Sequence, residues 1–135
     1  MGFEEEEEIP EENRAIYTDE FDLDHERGAK ILTKALEMPG INKEAVDKLA
    51  SNSAIIPGNS LISGPKKIFS EPIYGIKQYI NHIDLDTGEQ TLRCEVFAGA
   101  EDILFMIICL CDIEEKDYYM PVFDRAIESA RFILL

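Results

Sequence analysis

The sequence is poor in the features that most directly mark a function. It has no tryptophan, three cysteines, and 13 basic residues against 28 acidic ones. Its longest apolar run, Ile103–Cys111, is about half as long as the roughly 20 residues of a transmembrane helix. Since no basic stripe offsets the acidic balance and no secretory signal begins the chain, we expect a cytoplasmic protein that binds neither membranes nor nucleic acid.

The acidic residues are concentrated at the N-terminus. Residues 1–24 carry a net charge of −10, which leaves −5 for the rest of the chain. Blocks of like charge are typical of solvated tails, so we predict a disordered acidic tail over residues 1–12. The alternative is a docking arm for a basic partner protein. Its residues would be the five consecutive acids Glu4, Glu5, Glu6, Glu7 and Glu8.

Residues 13–135 have the composition and length of a single folded domain. The segment Arg14–Asp24 contains scattered apolar residues and predicts a short edge strand or a docked extended segment. Apolar residues then recur at helical spacing from Asp24, a plausible N-cap, to Pro39, which predicts a first helix. Asn42 is the expected cap of a short second helix. Residues 51–72 are rich in Ser, Gly, Pro and Asn, which favours short strands and turns or a binding loop.

The C-terminal half has a clear strand pattern. Ile73–Ile83 and Gln90–Phe97 are rich in β-branched and aromatic residues, and the DLDTGE segment between them predicts a hairpin turn. The run Ile103–Cys111 is apolar at every position, so we predict a central strand that is covered on both faces. An amphipathic helix over residues 118–135 closes the domain. These elements predict an α+β fold in which an antiparallel sheet packs against N-terminal helices and a C-terminal helix.

No set of residues in the sequence resembles a catalytic, cofactor or metal site. The Asp86-Thr87-Gly88 tripeptide suits a hairpin turn better than an aspartic protease, because the apolar elements that support such a dyad are missing. Neither His25 nor His82 has the spacing of a metal ligand. The three cysteines lie in apolar settings and are expected to be buried free thiols. We therefore expect no cofactor and no catalysis.

The C-terminal half resembles the PsbP-like superfamily, which includes DcrB-type proteins and the Eag chaperones of type VI secretion. The resemblance covers roughly Tyr74 to Leu135. It rests on the strand ending CEVFAG, the apolar strand ILFMIICLC and the helix YYMPVFDRAIESARFIL. It implies an antiparallel sheet with helices against it and a binding role without catalytic residues.

The leading functional prediction is a binding protein, either a chaperone or an immunity-type partner of a basic protein. Opposite charge would accelerate the encounter, and an apolar patch would supply the affinity. Tyr118, Tyr119 and Met120 are candidate anchors, although ordinary core packing is an alternative role for them. Self-association into a homodimer through the sheet is a related alternative. A small-molecule or lipid-tail binder with an apolar pocket near Ile103–Cys111, and an enzyme of unidentified type, also remain open.

Overall fold

The fold is built on one six-stranded antiparallel sheet, which the computed structural model describes over residues 15–24 and 28–131. In chain order the strands are β1 Ala15–Asp24, β2 Ala29–Glu37, β3 Asn59–Ile68, β4 Tyr74–Ile83, β5 Gln90–Ala100 and β6 Ile103–Asp112. Their order across the sheet is β1-β2-β6-β5-β4-β3, so β1 and β3 form the edges and β6 is internal. The predicted α+β class and antiparallel sheet are confirmed.

In the part of the chain that the structure describes, two helices pack on the sheet. Helix α1 spans Lys43–Ala54, and helix α2 spans Lys116–Glu128 after a 3₁₀ turn at Ile113–Glu115. Asn42 caps α1 as predicted, because its Oδ1 accepts a hydrogen bond from the Ala45 N–H at 2.9 Å. Helix α2 confirms the closing helix, but it begins earlier than the sequence predicts. Pro121 therefore lies inside the helix, not in its first turn.

The predicted first helix is wrong: its residues form β2. This strand pairs with β1 on one side and with β6 on the other, where Lys30–Glu37 lie opposite Ile103–Leu110. The sequence AKILTKALE is rich in good helix formers, so its local preference favours a helix. Pairing on both sides satisfies its backbone groups and overrides that preference, as tertiary contacts commonly do.

Tight turns join the last three strands. In the predicted β4–β5 turn, Asp84 Oδ1 accepts hydrogen bonds from the N–H groups of Asp86 and Thr87. These backbone hydrogen bonds lower the pKa of Asp84. Strands β5 and β6 are joined by Glu101 and Asp102, which both have positive φ angles, as a type I′ hairpin turn requires.

The two faces of the sheet carry separate cores. On one face, Tyr119, Phe123 and Ile127 of α2 pack over the central strands. On the other face, Val46 and Ala50 of α1 pack over β4 and β5. The two helices therefore lie on opposite faces, and each covers only part of its face.

Candidate docking surface

Strand β6 is apolar on both faces, and the described part of the chain covers neither of them completely, since Phe105 on the α2 side and three residues on the α1 side are half-buried. Ile107, Cys109 and Cys111 point toward α2 and are buried. The alternating residues point to the α1 face and are only half-buried. These residues are Met106, Ile108 and Leu110. The predicted central strand is confirmed, and its coverage on the α1 side is partial.

The cause is the position of α1. This helix contacts β3, β4 and β5, and Met106 of β6 packs against the edge of its core, whereas the rest of this face of β6 and β2 lies beyond its flank. Leu32 of β2 lies directly opposite Ile108 and is half-buried as well. We refer to this half-exposed apolar surface as the open strip. It consists of Leu32, Met106, Ile108 and Leu110.

Charged side chains border the open strip. Lys30 and Lys34 alternate with Leu32 on the same face of β2, and Lys30 forms an ion pair with Glu20 of β1 at 3.2 Å. On the β5 side, Arg93 lies opposite Leu110. An apolar centre with a polar rim is the usual arrangement of a protein-binding surface.

A buried polar cluster holds α1 on its side of the strip. Glu95 is fully buried next to Ile108, and its Oε2 accepts a hydrogen bond from Ser53 Oγ of α1 at 2.8 Å. Gln78 Nε2 donates to Glu95 Oε1 and to the Ala50 carbonyl of α1, both at 3.0 Å. Arg93 completes the cluster through Nη2, which lies 3.0 Å from Glu95 Oε2. These bonds tie the end of α1 to β4 and β5.

The candidate anchors on α2 are not grouped on one surface. Tyr119 is 4% exposed and stacks on Phe123 with a centroid distance of 5.6 Å, so its ring belongs to the core. Met120 packs against the same core, and its carbonyl accepts a hydrogen bond from Tyr79. Tyr118 is 60% exposed. Glu4 to Glu8 lie outside the described residues, as does His25.

Tyr79, Cys109 and Cys111 have raised pKa values because they lie in the packed interior of the fold. Burial and the hydrogen bond that it donates to Asp124 raise the pKa of Tyr79. A hydrogen bond with Cys94 and burial raise the pKa of Cys109, and burial raises the pKa of Cys111 to about 12. The thiols of Cys109 and Cys111 therefore stay protonated at neutral pH and are poor nucleophiles.

Three surface clefts lie away from the open strip. A cleft of about 490 Å³ lies beside the start of α1 and Tyr74, and one of about 350 Å³ lies between the β4–β5 turn and the 3₁₀ turn. A third, of about 310 Å³, lies between β3 and the end of α2. None of the three is lined by residues 103–111. The predicted apolar pocket near those residues stays a prediction.

Neither a metal-binding cluster nor a membrane-spanning helix is present in the described residues. Within residues 15–24 and 28–131, no group of three or more His, Cys, Asp or Glu side chains is placed to hold a metal ion. No helix in this part of the chain is long and apolar enough to cross a bilayer.

Comparison with known proteins yields structural neighbours but no family. No protein-family model matches the chain, and no curated protein matches it significantly. A Pseudomonas aeruginosa protein of unknown function, PA94, described as a putative regulator, superposes with a TM-score of 0.68 at 10% identity. The match covers 95% of this chain and 89% of PA94. The chain shares its fold.

A second neighbour is more distant. LpqN of Mycobacterium tuberculosis, which is involved in cell envelope biogenesis, superposes with a TM-score of 0.58 at 8% identity. The match covers 86% of this chain and 75% of LpqN. Identities this low show the fold alone. Neither neighbour is described as PsbP-like, so that resemblance stays a prediction.

The open strip was missed in the sequence because β2 was interpreted as a helix. Read with the two-residue period of a strand, Lys30, Leu32 and Lys34 share one face. A face that alternates lysine and leucine is typical of partial exposure. That alternation is the signal that could have identified the surface.

Proposed function

We propose that the protein is a non-catalytic binding protein that holds an amphipathic segment of a partner protein on the open strip. The observation that carries the proposal is that Met106, Ile108 and Leu110, on an internal strand, are only partly buried. Apolar side chains in the middle of a sheet are normally covered, and a contiguous exposed group of them is typical of an interaction site.

The dimensions of the surface favour a helix as the bound element. Strands β6 and β2 occupy about 10 Å of sheet width, since neighbouring strands lie about 4.8 Å apart. That width is close to the roughly 10 Å diameter of an α-helix and to the usual spacing of packed helices. A partner helix would lie beside α1 and cover the part of the face that α1 leaves open.

The overall charge of the chain favours a basic partner, and two of the three basic side chains that border the strip, Lys30 and Arg93, are paired with Glu20 and Glu95. The net charge is −15, and the acidic N-terminal block would accelerate the encounter with a cationic protein. Deleting residues 1–12 should therefore slow association with such a partner at low salt and have little effect at high salt. An unchanged association rate at low salt would show that the acidic block is not a docking arm.

Affinity capture from a lysate of the native host tests the proposal. We compare the wild-type chain with Ile108→Glu, which places a charge in the strip, and with Tyr118→Glu, which places a charge on an exposed residue of α2. We expect a partner that the wild type and Tyr118→Glu retain and that Ile108→Glu loses. Equal capture by all three proteins would refute a role for the strip.

A small molecule or lipid tail is the second candidate, because the same apolar strip could contact a hydrocarbon chain. Small-molecule sites usually enclose most of the ligand surface. The open strip, by contrast, lies on a sheet face that α1 borders on one side. Mass spectrometry of the native protein would detect a bound lipid directly. Such a ligand, lost in Ile108→Glu, would favour this alternative over a partner segment.

A further inference from the structure

A second apolar surface lies at one corner of the sheet, away from the open strip. Seven large hydrophobic side chains of the described residues are exposed, and five of them lie on chain segments that backbone hydrogen bonds join. They are Ile55, Ile56, Leu61, Ile62 and Leu85. Single exposed apolar side chains need no explanation, but a cluster of this size is typical of a contact surface.

Local hydrogen bonds bring the three segments of this corner together. The Asn59 N–H donates to the Ile56 carbonyl at 2.9 Å, which joins the end of α1 to the start of β3. The Ile83 N–H donates to the Gly58 carbonyl at 2.8 Å, which joins β3 to the end of β4. Leu85 follows two residues later, in the β4–β5 turn. We refer to the five side chains as the apolar corner.

The corner includes the edge of the sheet. No described strand pairs with the outer side of β3, and its residues 60–67 are all exposed. Hydrogen-bonded and non-hydrogen-bonded pairs alternate along an antiparallel ladder, and Gly58 bonds to Ile83. The N–H and C=O groups of Leu61 therefore point away from β4 toward solvent. The Asn59 N–H is already bonded to Ile56, and the register of β3 with β4 shifts between Leu61 and Ser63, so the regular edge that can pair is short and centred on Leu61.

We propose that the apolar corner is a homodimer interface, in which the β3 strands of two copies pair antiparallel around a two-fold axis at Leu61. In this register Leu61 lies opposite its own copy, and the two Leu61 backbones exchange both hydrogen bonds. The two Leu61 side chains point to the same face of the joined sheet. The sheet then continues from one copy into the other, and the unpaired edge is satisfied.

Charge complementarity at this edge favours a second copy over an unrelated strand, while the net charge of −15 on each copy opposes association at long range and does so less at higher salt. Beyond the paired segment, β3 carries Lys66 and Lys67, whereas the β4–β5 turn at its other end carries Asp84 and Asp86. Antiparallel pairing about Leu61 places the lysines of each copy about two strand spacings, roughly 10 Å, from the acidic turn of the other. Long lysine side chains span much of that distance. The distance is also about one Debye length at physiological salt, so the attraction is only partly screened. The attraction occurs twice, once on each side of the axis.

Sedimentation velocity of the full chain over about 1–200 µM tests the interface. We expect a concentration-dependent dimer, and Leu61→Asp should weaken self-association by about tenfold or more, because two aspartates would face each other at the axis. Leu61 is 46% exposed, so this variant should fold. Tyr118→Asp, on α2, should leave the dimer intact. A wild-type chain that is monomeric over the whole range would overturn the proposal.

A cysteine variant tests the register independently. All three native cysteines are buried. The cysteine of Leu61→Cys is therefore the accessible thiol among the described residues. A short bis-maleimide should link two copies of Leu61→Cys rapidly, and it should link copies of Tyr118→Cys much more slowly, since Tyr118 lies on α2 and outside the apolar corner. Equal rates for the two variants, or a dimer that Leu61→Asp does not weaken, would refute pairing through β3. Neither outcome bears on the open strip, which lies between α1 and β1.

Discussion

The buried carboxylate of Glu95 provides the sharpest test of how α1 is held beside the open strip. It is 1% exposed and accepts hydrogen bonds from Gln78, Ser53 and Arg93. Glu95→Ala removes the acceptor of all three donors. Breaking a buried ion pair costs about 3–5 kcal/mol. Because the Arg93 side chain is 33% exposed and can turn toward water, we expect the lower end of that range, about 3 kcal/mol.

The assay is urea unfolding followed by far-UV circular dichroism, because the chain has no tryptophan for fluorescence. Glu95→Gln is the matched control: it keeps the shape and one acceptor, so the free energy of unfolding should fall by only about 1–2 kcal/mol. Leu85→Ala, at an exposed position of the β4–β5 turn, should change it by less than about 0.5 kcal/mol. A Glu95→Ala variant within about 1 kcal/mol of the wild type would refute the view that this carboxylate ties α1 to the sheet.

Three further predictions concern the two faces and the acid stability of the sheet. Ile107→Asp should unfold the protein, because it buries an unpaired charge, whereas Ile108→Asp on the open strip should stay folded by circular dichroism. Asp124→Asn should lower the urea midpoint at pH 7. Burial opposes ionisation of Asp124, but the hydrogen bonds from Lys77 and Tyr79 outweigh this effect and lower the pKa of Asp124 below its ordinary 3.8. This stabilisation is present above that value and is lost as the pH falls through the lowered pKa, so wild type and variant should converge in strong acid. Gly58→Ala should reduce the thermal midpoint, because the added Cβ would lie 2.5 Å from the Ile83 carbonyl oxygen at a positive φ.

Much of the fold follows from local sequence signals. The β4–β5 hairpin was predictable because Asp84 and Gly88 supply the turn chemistry that the segment needs. Helix α1 was predictable from the Asn42 cap, and β6 from its length and apolar composition. In each case a few adjacent residues carry the information.

Strand β2 was not predictable in the same way. Its alanines, lysines and leucines favour a helix locally, and only the pairing with β1 and β6 makes it a strand. The open strip depends on the same long-range arrangement. The composition of β6 indicates burial on both faces, but it does not indicate that α1 lies over β3–β5 and leaves Ile108 half-exposed.

Site-specific photo-cross-linking in the native host tests the central claim most directly. A photoreactive phenylalanine analogue replaces Ile108 on the open strip in one variant and Tyr118 on α2 in the other. We predict that the position-108 variant forms one discrete adduct with another protein, and that the position-118 variant does not. A link from position 108 to its own chain, or the same adducts from both positions, would contradict the assignment of the open strip as a partner-binding surface.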